Sequence, residues 1–296
     1  MVKVNWRPNF SASALHAAQA IALEAGVADQ ELLMALAPAA GQLHACLSEW
    51  LQGSVARGWR TLVGLSAGIE SNQALAEACL AKWGLRQATT TSRIVRLAGA
   101  IADVEAAMRL VQPKLLEQLS LRARPIQEQW LGYGQGLTAH LRRLTDPQWL
   151  VEEAEAILVH PVLGGGGYAL ADRNRFTFEA VLTNPLSELP EVLRVAWLAA
   201  QLQADLPRYT EGLGPFRAEP VVALAMLPVV LAAAEVMELS RCEEVIIQLA
   251  IEHWQIAIPQ RDDVSSLLLP WWETYLQTRP AWPIALKALD KMLHDQ

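Results

Sequence analysis

Charge is scarce in this chain. Asp, Glu, Lys and Arg make up 19% of it against 52% hydrophobic residues, which excludes a disordered, solvated polymer and requires most helices to be packed on several sides. Cysteine is scarcer still: Cys46, Cys79 and Cys242 lie far apart with no C-x-x-C spacing. That excludes a disulfide framework and a cysteine-based structural zinc site. The six histidines never recur at i+3 or i+4, and no E-x-x-H stands in the di-iron bundle pattern, so the expectation is no metal and no cofactor.

Positive charge is not concentrated either. Residues 1–150 hold 14 Lys/Arg against 11 Asp/Glu, and residues 151–296 hold 10 against 20. Neither half offers the dense basic face that phosphate backbones require, which excludes nucleic acid as the expected partner. The opening MVKVNWRPNFSAS has no apolar signal segment, and the longest apolar run, Pro220 to Ala234, is 15 residues bounded by Glu219 and Glu235. A membrane span takes about 20 residues, so the expectation is a cytoplasmic protein without a membrane span.

What is present is helical spacing. Ile94, Leu97, Ile101, Val104, Met108 and Val111 recur every three or four residues and predict one amphipathic helix over 91–112. Shorter helices are expected over 11–25, 29–37, 40–52, 71–83, 114–122 and 125–143, with breaks at Gly53, Gly84, Pro113 and Pro125. Short connections favour antiparallel neighbours in an array. The Asp146-Pro147 pair followed by three glutamates reads as a helix start. Beyond it AILVHPV and RFTFEAVLT read as strands, the second spanning 175–183, forming a hairpin across the glycine run. Helices return over 188–206, 219–239, 241–257, 263–277 and 281–294, with Ser240 and Glu243 as a capping box and Pro228 kinking or splitting its helix.

The segment between the strands carries the best candidate chemistry. Gly164, Gly165, Gly166 and Gly167 could cradle an anion on backbone N–H groups. The polar cluster beyond them, Asp172, Arg173, Asn174, Arg175 and Glu179, suits a carboxylate or phosphate, because guanidinium forks bind two oxygens. Glu191 and Arg194 on the next helix extend that set. Against it, the chain runs on towards a strand with no lysine at hand, unlike phosphate loops that open a helix. A conformational role for the glycines and a solvated turn for Asp172 to Arg175 are the favoured readings. His160 reads as a hydrogen-bonded core or edge histidine.

Two further patterns bear on catalysis. Gly64-Leu65-Ser66-Ala67-Gly68 matches the G-x-S-x-G nucleophile elbow, with Asp262 or Asp263 and His294 in the order such hydrolases use. The surrounding text is helical, so a glycine-flanked helix junction is the expected structure. The order strand, turn, buried helix around 175–206 resembles the core of zinc metallopeptidases in architecture alone. Their H-E-x-x-H pair would fall near Arg194 and Leu198, where this chain has no ligand. The resemblance therefore implies a scaffold from which the metal chemistry is absent.

The eleven tryptophans include Trp271-Trp272, close in sequence to Tyr275 and Trp282. Buried packing is the default for such a group, and an exposed partner-binding patch is the alternative. The fold expected is mainly α (α+β): a helical array over 1–145 and an α+β unit over 146–296, with a small β element near the middle. The function expected is a non-catalytic scaffold with a protein partner or self-association. The alternative is an enzyme or binder taking an anionic small molecule under the glycine loop.

Overall fold

The structure is a computed structural model that describes residues 1–85, 90–182, 184, 186–213, 217–258 and 264–294. It is 65% helical with a small four-stranded sheet, as the composition and periodicity predict. The chain divides into two compact units interleaved in sequence. A helical unit comprises 7–122 and 157–164, and a mixed unit comprises 1–6, 123–156 and 165–296.

The helical unit is built from α1 (Phe10–Ala22), α2 (Gln30–Trp50), α3 (Val55–Ser66), α4 (Asn72–Lys82) and α5 (Thr90–Val111). Its helix starts follow from short polar side chains placed just before apolar runs. Asn9 accepts from the Ala12 N–H at 2.7 Å and Asp29 from the Leu32 N–H at 3.0 Å, which satisfies donors that a helix leaves free. Helix α5 packs on α1, α2 and α4, and α3 packs on α1, α2 and α4. Two separate helices are expected around Pro38, yet α2 runs through it. The continuous buried face of Leu32, Leu36, Ala39, Ala40 and Leu43 outweighs the one hydrogen bond that proline removes.

The same correction applies twice more. Helix α6 (Leu115–Leu144) continues through Pro125, and in the mixed unit α9 (Ala218–Val236) is not split by Pro228. The other helices of that unit are α7 (Glu191–Ala199), the short α8 (Pro207–Thr210), α10 (Glu244–His253), α11 (Val264–Thr278) and α12 (Trp282–His294). Helix α9 is the hub, touching α7, α10, α11 and α12. It is long and apolar enough to cross a membrane by length and composition, and 67% of its apolar window is buried inside the protein.

Four strands, β1 (Lys3–Pro8), β2 (Glu153–Val159), β3 (Ala169–Leu170) and β4 (Arg175–Glu179), form one sheet in the order β1-β2-β4-β3. The simple hairpin expected from sequence is therefore wrong in detail. β4 has a second neighbour in β3, antiparallel with Ala169 opposite Phe176 and Leu170 opposite Arg175, and β1 comes from the N-terminus. β4 ends at Glu179, four residues short of the expected strand end at Thr183, which lies outside the described residues. The helix expected from Asp146-Pro147 is absent as well. Asp146 accepts from the Gln148 N–H at 2.7 Å, closing a turn, and of the glutamates that follow, Glu153 and Glu155 belong to β2, where Ala154, Ala156 and Leu158 are buried.

Two helix limits also differ. Helix α7 ends at Ala199, after which the chain turns with the Gln201 N–H on the Leu198 carbonyl at 3.2 Å and the Ala204 N–H on the Gln201 carbonyl at 3.0 Å. The capping box at Ser240 does not form: its Oγ donates to the Glu188 carbonyl at 2.6 Å, and Glu243 is the N-cap of α10 without a side-chain cap bond.

Of the eleven tryptophans, all but Trp6, Trp50 and Trp83 are buried, and those three are half-buried. Trp271, Trp272, Tyr275 and Trp282 form an internal aromatic cluster, with Trp272 and Tyr275 at 5.3 Å and Tyr275 edge-on to Trp282 at 5.3 Å. Trp149 extends it through Trp282 at 5.7 Å and Tyr209 at 4.6 Å. The cluster is core.

Candidate functional site

Gly165, Gly166 and Gly167 lie beside β4 in the mixed unit, and their close contacts follow from the absence of a side chain. Gly164 has φ +79°, a conformation that costs other residues strain. A Cβ on Gly165 would lie 2.5 Å from the His253 carbonyl oxygen, so only glycine lets the loop meet the end of α10 that closely.

This approach turns two N–H groups towards one oxygen. Gly165 and Gly166 donate to Glu179 Oε2 at 2.9 and 3.0 Å, so the loop does cradle an anion, and the anion is this chain's own carboxylate. Glu179 is fully buried. Its backbone joins the same ladder, with its N–H on the Gly166 carbonyl at 3.1 Å.

Arg194 closes the arrangement from α7. It is 0% exposed, its Nη1 donates to the Gly166 carbonyl at 2.7 Å, and its Nη2 donates to the Glu179 carbonyl at 2.8 Å. Nη2 also donates to Glu191 Oε2, one turn back on the same helix. Below the guanidinium lies Phe178, with the ring centre 3.9 Å from the Arg194 Cζ, a cation–π contact in a desolvated setting. Trp6 packs edge-on against that ring at 6.2 Å.

One edge of the cluster keeps polar atoms without hydrogen-bond partners among the described residues: Glu191 Oε1, Arg194 Nε and His253 Nε2. Burial lowers the His253 pKa below its usual range, and Arg194 lowers it further while Glu191 opposes the shift. His253 is thus favoured as the neutral imidazole beside an ion pair. Sequence reasoning did not find it. It lies far along the chain, and the only local sign is a histidine at the end of an amphipathic helix.

Of the ten residues expected to form a ligand site, the structure brings together Gly165, Gly166, Glu179, Glu191 and Arg194. Gly167 sits beside them, where a Cβ would meet the Thr177 carbonyl at 2.5 Å, and Gly164 opens the loop with free space around it. The other three go elsewhere. Asp172 and Arg173 lie in a 3-10 turn, 3.8 Å apart and partly exposed. Asn174 follows in the left-handed conformation, φ 50°, which makes the tight return into β4. Arg175 forms a half-buried ion pair with Glu155 of β2.

The other candidates resolve plainly. Ser66 is the last residue of α3, 3% exposed, with its Oγ on the Val63 carbonyl at 2.8 Å. It crowns no strand-to-helix corner, so the nucleophile elbow is excluded there. Asp262 and Asp263 lie outside the described residues, and His294 Nδ1 stands 3.2 Å from Asp290 Oδ1 on its own helix. His160 is buried, and its N–H donates to Ser13 Oγ at 3.2 Å. Two concave sites are lined by other residues. One, of about 440 Å³, lies between the end of α9 and the start of α10. The other, of about 210 Å³, is lined by Trp50, Ser54, Arg57 and Trp83. No protein-family model matches the chain, and no curated protein or solved structure does so either.

Proposed function

We propose that this chain is a non-catalytic scaffold that presents surface to a protein partner or to a second copy of itself in the cytoplasm, and that its glycine loop is an internal clamp. The supporting observation is the state of the one constellation whose residue types suit anion chemistry. Both loop N–H groups hold Glu179, and both Nη atoms of Arg194 hold carbonyl and carboxylate oxygens of the same chain. Such a closed set of charge-assisted bonds fixes the loop to β4 and α7.

A second reading is favoured by the polar edge of Glu191 Oε1, Arg194 Nε and His253 Nε2. In that reading a small polar molecule reaches those atoms. A thermal-shift series with carboxylates, phosphates and sugars separates the two. The scaffold reading expects no saturable stabilisation, together with defined self-association or a stoichiometric protein complex by light scattering. A ligand that raises Tm in wild type and fails to do so in Glu191→Gln would replace it with the second reading.

A further inference from the structure

The groove between α9 and α10 has an apolar floor and an acidic rim. Leu239 and Ile246 line it together with Glu188, Glu235, Glu238, Ser240 and Arg241, enclosing about 440 Å³. Val236 and Val245, next in sequence to lining residues, are 64% and 74% exposed.

The field at this place has one sign. Glu188, Glu235 and Glu238 are joined along the chain by Glu243 and Glu244, and the one lining cation, Arg241, faces Glu243 at 3.5 Å. The pKa of the neighbouring Cys242 thiol is pushed up to about 12, chiefly by burial and then by Glu235 and Glu273. The α9 C-terminus contributes further negative character through its last carbonyls. Its closing bonds, Leu239 N–H to the Ala234 carbonyl at 3.0 Å and Glu238 N–H to the Glu235 carbonyl at 3.1 Å, place Glu238 in the left-handed conformation at φ 57°. Glycine is the usual residue there. A glutamate at that position keeps a carboxylate on the rim.

We infer that this groove is the docking site for a basic amphipathic helix of a protein partner, whose apolar side chains at i, i+3/i+4 and i+7 enter against Leu239 and Ile246 while its Lys or Arg residues meet Glu188, Glu235 and Glu238. The assignment rests on the scaffold reading and names the surface and the partner chemistry for it. Helix-in-groove recognition has these two components, apolar anchors for affinity and complementary charge for orientation and rate.

The probe is a synthetic helical Leu–Lys peptide with leucines at that spacing, titrated into the full chain by fluorescence anisotropy, alongside the same peptide with Glu in place of Lys. Wild type should bind the Lys peptide and not the Glu peptide. The double variant Glu235→Lys/Glu238→Lys should weaken binding by about tenfold or more, because it replaces attraction with like-charge repulsion. Ile246→Ser, which removes part of the apolar floor, should weaken it as well. A charge-matched control, Glu31→Lys/Glu77→Lys in the helical unit, should leave it unchanged. Equal loss in the control and groove variants would mean diffuse attraction to an acidic protein and overturn the proposal, as would absence of binding by wild type. A dimer of the chain that disappears in the groove variants would also overturn it, by assigning the groove to a second copy. A partner complex insensitive to all groove variants would sink the groove and leave the scaffold reading intact.

Discussion

Among the described residues of the helical unit the buried polar side chains are Ser13, His16, Ser66 and His160, none of them a carboxylate or a guanidinium, whereas the mixed unit buries Glu179, Glu191, Arg194 and Asp290 at 7% exposure or less. The helical unit holds Trp59 as its one fully buried tryptophan, while the mixed unit stacks Trp149, Trp271, Trp272 and Trp282 in a single cluster. The two units therefore depend on different forces. An array of Ala, Leu and Val is held by area removed from water, which is non-directional and tolerant of volume-conserving change. Buried charge is directional: each charged atom needs its partner in place, and loss of a partner leaves desolvation uncompensated.

The largest expected effect follows from that asymmetry. Arg194→Met strips Glu191 of its cation and the Gly166 and Glu179 carbonyls of their donors, and breaking a buried pair in this way costs about 3–5 kcal/mol. Adding Glu191→Leu should recover part of it, because an apolar pair of similar volume needs no partner. In the helical unit, Ser66→Ala removes a buried hydroxyl bonded to the Val63 carbonyl and should cost only about 1 kcal/mol. Urea unfolding of the four proteins measures all of these. Equal losses for Arg194→Met and Ser66→Ala would erase the comparison.

Within the glycine loop the comparison sharpens between neighbours. Gly165→Ala forces a Cβ to within 2.5 Å of the His253 carbonyl, and overpacking against backbone costs about 1–3 kcal/mol. Gly164→Ala meets open space, and its penalty is the left-handed backbone alone, φ +79°, about 1 kcal/mol. The Gly165 substitution should also loosen Glu179, since it displaces the N–H that holds it. Hydrogen exchange at Gly166 and Glu179 should therefore rise in Gly165→Ala and stay near wild type in Gly164→Ala.

The sequence made the helices legible wherever an apolar stripe coincided with a cap, as at Asn9 and Asp29. It misplaced limits where tertiary burial overrode a local signal. Pro38, Pro125 and Pro228 each carry the mark of a helix end, and each sits inside a helix whose apolar face is held by neighbours. Strand β3 has two residues, too few for a period to show, and β1 presents one half-buried edge. Half of the candidate site was readable because Glu179, Glu191 and Arg194 stand near the glycines in sequence. What no local pattern carried was the direction of the chemistry: the cradle faces Glu179, and the ligand expected for it is the chain itself. Arg173 and Arg175 looked equivalent to Arg194, and only burial separates them.

The smallest effect expected is in pH dependence, and it arises in the mixed unit. Burial holds His253 below its usual pKa, against the pull of Glu191 and with a smaller contribution from Arg194. Since an unfolded histidine titrates near 6.5, the unfolded chain takes up that proton before the folded one. The stability that a neutral His253 contributes is complete above about pH 6.5 and is lost as pH falls towards the folded-state pKa. His140, also in the mixed unit, is lowered by burial and by Arg143 and adds to the same slope. Stability should therefore decline on moving from about pH 7.5 to 5.5, above the range where exposed carboxylates titrate. His253→Gln should flatten that slope by removing its larger contributor, and His140→Gln should flatten it less, since His140 is nearer solvent. If His253→Gln leaves the slope as it was, the imidazole is not held neutral by burial, and the polar edge of the cluster is open to water.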